Sequence, residues 1–115
     1  MERMKRGDLV TIAVSGDYGK PRPALVIQDD AFGELSAVIV LRLTSEINDW
    51  PLFRVTVEPS VTNGLRKRSQ VMIDRAIALP RSKVGQAFGH LDDADMLAVN
   101  LAIYRFFGLR GIGPD

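Results

Sequence analysis

Cysteine is absent from this chain, and histidine occurs once, at His90. The first absence removes disulfide staples, thiolate nucleophiles and thiolate-ligated metals, and it is compatible with a reducing compartment. The second removes any pair of histidines sharing general acid and base work within one chain. A zinc site would have to draw mainly on carboxylates, and no suitable cluster is visible, so no metal is expected. His90 lies in Gly-His-Leu, read as a turn before a helix, where local hydrogen bonding is its ordinary role. Long apolar runs are missing too. Ala37–Leu41 is among the longest, far short of the roughly 20 residues that span a bilayer. Met1–Arg6 is charged and leads to Gly7-Asp8 rather than to an apolar signal core, so a cytoplasmic protein without membrane contact is expected. Neither a phosphate-binding P-loop nor a GxGxxG fingerprint is present, which excludes nucleotide hydrolysis and hydride transfer by those folds. Strong charge of one sign is also lacking, with 15 Lys and Arg against 14 Asp and Glu, a formal net charge of +1. Any attraction for phosphate must come from local patches.

What is present suits one globular domain. The 115 residues are 46% apolar and 25% charged, so a single domain over 1–115 is expected, with flexible ends at about 1–5 and 109–115. Leu9–Val14 is rich in β-branched residues and reads as a strand. Ala24–Gln28 reads as a second strand, apolar enough to be buried on both faces, and Leu35–Leu43 as a third. Leu52–Glu58 alternates, with Phe53, Val55 and Val57 on one face and Arg54, Thr56 and Glu58 on a wet one. Asn63-Gly64 is the strongest turn dipeptide. Gln70–Leu79 follows as one strand or two short ones, halted by Pro80.

The period then changes. Asp92-Asp93 can cap a helix. Beyond it Met96, Leu97, Asn100, Leu101, Tyr104 and Phe107 recur at helical spacing, with Val99, Ile103 and Phe106 widening the stripe. A helix from about Asp93 to Phe107, stopped by Gly108, is expected. Five or more strands and a terminal helix indicate a mainly β fold, a small barrel-like antiparallel sheet with the helix over an opening. The helix carries more apolar surface than one face of a small domain needs; the surplus either closes the barrel or is shared with a second copy, and a homodimer is expected.

The chemistry centres on Lys20-Pro21-Arg22-Pro23, a basic turn that runs into an apolar strand. Two prolines restrict the backbone on either side of Arg22, so its guanidinium leaves from a fixed point. Arg22 is either a surface arginine in a proline-rich turn or a group held for an anion. Thr44 and Ser45 close the long third strand, where their hydroxyls either cap a turn or emerge at the same rim. Arg66-Lys67-Arg68 is either a solvated loop or a phosphate contact. Arginine matches two phosphate oxygens with its planar fork.

Four segments in order, Lys5-Arg-Gly-Asp-Leu-Val10, Arg22-Pro-Ala-Leu-Val26, Leu43-Thr-Ser45 and Gly64-Leu-Arg-Lys-Arg-Ser-Gln-Val71, resemble the MazF/PemK toxin family. The likeness runs from about Lys5 to Phe107 and ends in the family's terminal helix. It implies an SH3-like barrel that dimerises and cleaves single-stranded RNA as the toxic half of a toxin–antitoxin pair. It further implies that Arg22 and Thr44 are the catalytic arginine and threonine, with Ser45 an accessory hydroxyl. The reaction implied is attack of a ribose 2′-hydroxyl on the adjacent phosphorus, leaving a 2′,3′-cyclic phosphate and a 5′-hydroxyl without metal or cofactor. RNA contacts are expected from Asp17, Tyr18 and Lys20, and from Glu46, Asn48 and Trp50. Lys67, Arg68, Ser69 and Gln70 complete the expected set.

Trp50 is either a stacking platform or a packing anchor. One departure stands out. Ser69 occupies the position of an aspartate found in the Kid/PemK branch, and Lys67 that of its arginine, which favours a simpler arginine–threonine scheme or implies reduced activity. An antitoxin with an extended acidic segment is the implied protein partner. Two competing readings are a CcdB-like gyrase-binding toxin, suggested by Phe106-Phe107-Gly-Leu-Arg110, and a catalytically inactive barrel that binds protein.

Overall fold

β-branched runs become strands close to where the sequence places them. The computed structural model describes residues 4–14 and 20–109. Among these, six strands precede one helix: β1 (Asp8–Ile12), β2 (Arg22–Val26), β3 (Ala37–Thr44), β4 (Arg54–Val57), β5 (Ser69–Pro80), β6 (Val84–His90) and α1 (Asp93–Phe106). The ladders are antiparallel, in the order β4-β5-β3-β2-β1-β6. No described helix is long and apolar enough to cross a membrane.

Strand alternation divides the core in two. Leu9, Leu25, Leu41 and Leu43 join Val55, Val57, Val71 and Ile73 beneath Val99 and Ala102 of the helix. On the opposite face Val10, Ile12, Ala24, Val26, Val38 and Val40 pack with Leu79. Strand β2 is therefore buried on both faces, as its unbroken apolar run implied. Each Val, Leu and Ile among these contributes about 1.5–3 kcal/mol by leaving water.

Gln70–Leu79 resolves into a single bent strand. Leu43 faces Val71 and Leu41 faces Ala76, so in the β3 ladder the four residues Met72–Arg75 stand against Arg42 alone. Below the bulge β5 also pairs with β4, from Ser69 to Met72. Above it β5 pairs with β3 through Pro80.

The sheet's two edges meet through a turn, not a ladder. Asn63 is buried, and its side chain organises the β4–β5 connection. Its Oδ1 accepts from the Ser60 and Leu65 N–H groups, at 3.0 and 2.9 Å, and its Nδ2 donates to the Glu58 carbonyl at 2.8 Å. Gly64 follows at φ +67°, a conformation that glycine adopts without strain. The turn lies against β6, where the His90 N–H donates to the Thr62 carbonyl at 3.0 Å. A Cβ on Gly89 would collide with the Asn63 carbonyl.

Four expectations need correction. Strand β6 is absent from the sequence reading, because beyond Val84 its segment has two glycines and no β-branched residue. Its ladder with β1 holds it, and none of its side chains is buried. His90 accordingly ends a strand, opposite Asp8, rather than sitting in a turn. Within α1 the buried stripe is Val99 and Ala102, with Met96 and Ile103 packed alongside. Leu97, Leu101, Tyr104 and Phe107 instead stay 48–60% exposed. The ends of the helix are as expected: the Asp92 carboxylate accepts from the Asp95 N–H at 2.8 Å, and Gly108 turns at φ +65°.

Arg54 is the fourth correction. Expected on the wet face, it is only 7% exposed. Its Nε and Nη2 donate to the two Asp74 carboxylate oxygens at 2.9 and 3.1 Å. Its guanidinium carbon lies 5.0 Å from the Trp50 ring centre and 5.7 Å from that of Phe53. Partial burial pushes the Asp74 carboxyl up. The Arg54 hydrogen bonds, its own backbone N–H and the charges of Arg54 and Arg75 outweigh that and hold it below its ordinary value.

Two outcomes follow for stability. Because the folded-state value is lowered, the ionised Asp74 contributes fully above the ordinary carboxylate range. That contribution is lost as pH falls below about 4. Asp74→Ala strands a buried guanidinium and is expected to cost about 3 kcal/mol at neutral pH, with a flatter acid limb in urea denaturation. An unchanged urea midpoint contradicts the pair's role. Gly89→Ala is expected to cost about 1–3 kcal/mol by forcing the seam apart, and a melting temperature equal to wild type contradicts the close approach.

Candidate functional site

The register between β2 and β3 builds one wall of a pocket. Ala24 faces Arg42, Leu25 faces Leu41 and Val26 faces Val40. Continued by two residues, that register sets Arg22 across from Thr44. Alternation puts Arg22, Ala24, Arg42 and Thr44 on one face. Arg22 is thus the first residue of β2 and not part of the preceding loop, with Pro21 and Pro23 restricting its backbone.

The pocket holds about 400 Å³. Arg22, Pro23, Arg42, Leu43, Thr44 and Ser45 form the β2–β3 wall. Leu65, Arg66 and Lys67 face them from the β4–β5 turn, with Ser69 and Met72 of β5. Ser69 is buried, and its hydroxyl donates to the Lys67 carbonyl at 2.9 Å, which holds the end of the basic turn in place. Thr44 is set by its own loop: its Oγ1 accepts from the Glu46 N–H at 3.0 Å. With that lone pair engaged, the hydroxyl proton remains to donate.

Among the described residues, four cationic side chains and no carboxylate or histidine appear in this lining. In a molecule of net charge +1, that is a local concentration of positive charge suited to a phosphate-bearing ligand. The volume falls in the range of small-molecule sites. Among the described residues, no group of three or more His, Cys, Asp and Glu is placed to hold a metal ion.

Of the expected site residues, the pocket gathers Arg22, Thr44, Ser45, Lys67 and Ser69. Lys20 and Glu46 are exposed and outside its lining. Arg68 is also outside and pairs with Glu58 at 2.9 Å. Gln70 is 3% exposed and its amide is fully engaged. Its Oε1 accepts from the Asn48 N–H at 3.1 Å, and its Nε2 donates to the Asn48 carbonyl and to Thr56 Oγ1. Asn48 and Gln70 therefore clamp the 46–50 loop to β5. Trp50, 46% exposed, stacks on Phe53 with ring centres 5.7 Å apart. Asp17 and Tyr18 lie outside the described residues.

Arg42 was missed. The signal was available, since a strand residue two before Thr44 shares its face. Met72 was missed as well, although it stands two residues beyond Gln70 in unbroken register with β4 and so shares its face.

Comparison with known proteins agrees with this architecture. The family model for PemK-like, MazF-like toxins of type II toxin–antitoxin systems matches residues 5–107. The chain is 41% identical over 109 residues to "Probable endoribonuclease MazF" of Mycolicibacterium smegmatis, covering 94% of this chain and all of that protein. An endoribonuclease in complex with its cognate antitoxin, from a mycobacterial species, superposes with a TM-score of 0.79 at 22% identity, over 92% of this chain and 96% of that one. The Mycobacterium tuberculosis toxin MazF-mt6 gives 0.75 at 24% identity, over 88% and 96%. The chain belongs to the PemK-like, MazF-like toxin family of type II toxin–antitoxin systems.

Proposed function

We propose that the chain is an endoribonuclease toxin whose cationic pocket binds a phosphodiester of single-stranded RNA and directs its cleavage. The observation that carries this reading is the pocket itself, whose β2–β3 wall brings Arg22 and Thr44 together opposite the basic turn.

The reaction is transesterification. A 2′-hydroxyl oxygen attacks the adjacent phosphorus, the bond from phosphorus to the 5′-oxygen breaks, and the products carry a 2′,3′-cyclic phosphate and a 5′-hydroxyl. The nucleophile is already tethered beside its electrophile, so orientation supplies much of the advantage. Negative charge grows on the non-bridging oxygens as phosphorus becomes five-coordinate. Arg22 offers them a planar fork, and Thr44 a donor already fixed by the Glu46 N–H. Ser45 adds a second hydroxyl at the exposed mouth, and Lys67 a charge from the facing turn. Cleavage is selective among RNA sequences through the loops beside this mouth.

Two assemblies accompany the reading. The outward apolar stripe of α1, Leu97, Leu101, Tyr104 and Phe107, is a surface for a second copy of the chain. An antitoxin carrying an extended acidic segment neutralises the pocket's charge, and both proteins act in the cytoplasm. A gyrase-binding barrel or an inactive one has no use for this convergence of cations with a hydroxyl.

The test is cleavage of labelled single-stranded RNA in EDTA, with the cut mapped to the nucleotide and its end groups identified. Arg22→Ala is expected to lower kcat/KM by about 10³-fold and Thr44→Val by about 10²-fold, each with wild-type melting. A folded Arg22→Ala protein that cuts at the wild-type rate overturns the assignment.

A further inference from the structure

We infer that Arg42 is a second phosphate-holding guanidinium in this pocket, engaging the RNA phosphate next to the one held by Arg22 and Thr44. The inference rests on the endoribonuclease reading and goes beyond its arginine–threonine pair.

The position is unusual for a cation. Val38, Val40 and Arg42 share one face of β3, and the two valines are buried in the core. The row turns cationic at the residue where the core gives way to the pocket, which Arg42 lines while half-buried.

Two features leave room for it. Across the β2 ladder it faces Ala24, whose methyl occupies little space. On the other side it is opposed by the bulged segment Met72–Arg75 rather than by one regular partner. Bulges recur beside active sites, where they re-aim a side chain and interrupt pairing. Met72, at the edge of this irregular segment, forms part of the same lining.

Spacing decides which phosphate is involved. Arg42 and Thr44 are two residues apart on one strand, about 7 Å along its axis. Arg22, across from Thr44, occupies the level of the reacting phosphate. Arg42 stands one pleat repeat further in, a separation comparable to that between successive phosphates of an extended strand. Contact there is equally strong in the ground and transition states, so it sets affinity and leaves the chemical step alone.

The experiment uses the oligonucleotide cut by the wild-type protein, made uncleavable by a 2′-deoxy sugar at the cut site. Affinity is measured by fluorescence anisotropy across a salt series for wild type, Arg42→Met and Arg42→Lys. Losing one phosphate contact on a single strand makes the log–log salt slope shallower by about 0.7. Arg42→Met is expected to show that change with KM raised about tenfold and kcat within about twofold of wild type, whereas Arg42→Lys keeps the slope. A slope for folded Arg42→Met equal to wild type overturns the inference and leaves the endoribonuclease reading standing.

If Arg42→Met does not fold, the wild-type protein decides the matter. Its Arg42 Nε–H resonance, assigned by its loss in Arg42→Lys, is expected to move when the uncleavable RNA is added. A resonance that stays fixed at saturation overturns the inference. A wild-type protein that neither cuts nor binds RNA sinks the parent reading and this one together.

Discussion

The antiparallel register of β2 against β3 is the constraint on which the rest of the molecule depends. It is secured by burial on both faces, since Leu25 and Leu41 pack toward the helix while Ala24, Val26, Val38 and Val40 pack the other way. A slip of one residue would exchange those two sets and is strongly disfavoured. The register that the core fixes then carries outward to the mouth of the sheet. There a proline-flanked arginine and the hydroxyl that ends β3 line the same pocket wall. The pair proposed to act on the phosphodiester is thus positioned by apolar contacts remote from it.

The facing wall is placed by different means. The basic turn is long and polar, and hydrophobic burial alone would not hold it. Asn63 satisfies its buried amide within the turn, and Ser69 ties down the Lys67 carbonyl. Gln70 fastens the neighbouring 46–50 loop through the Asn48 backbone. These buried polar groups are well satisfied, so they add rigidity without leaving a desolvated group unpaired. The consequence is electrostatic. A chain with almost balanced charge presents, among its described residues, four cations around a cavity of about 400 Å³. Arg54 and Arg68 are held apart from it by Asp74 and Glu58.

Legibility in the sequence followed the range of the interaction that determines each feature. Double burial of β2, the end of β3 at Thr44, the Asn63-Gly64 turn and the stop at Gly108 are local, and each was readable from a few adjacent residues. Strand β6 was not, because its pairing with β1 spans most of the chain and its glycine-rich segment has little strand propensity of its own. Arg54 read as solvent-facing until a carboxylate twenty positions away claimed it. The helix stripe misled for a related reason: periodicity identifies an apolar face without saying which of two apolar faces meets the sheet. Within the pocket, Arg22 and Thr44 were named in advance. Arg42 was passed over although it stands two residues before Thr44 on the same face of β3, with the small Ala24 across from it and the irregular segment of β5 on its other side.

The most direct examination of the central claim is a crystal structure of the protein with a short single-stranded RNA whose cut site carries a 2′-deoxy sugar. The expected result is a phosphate seated between the Arg22 guanidinium and Thr44 Oγ1, each at about 3 Å from its oxygens. RNA lying elsewhere on the surface, with neither side chain within hydrogen-bonding reach of a phosphate, would contradict it.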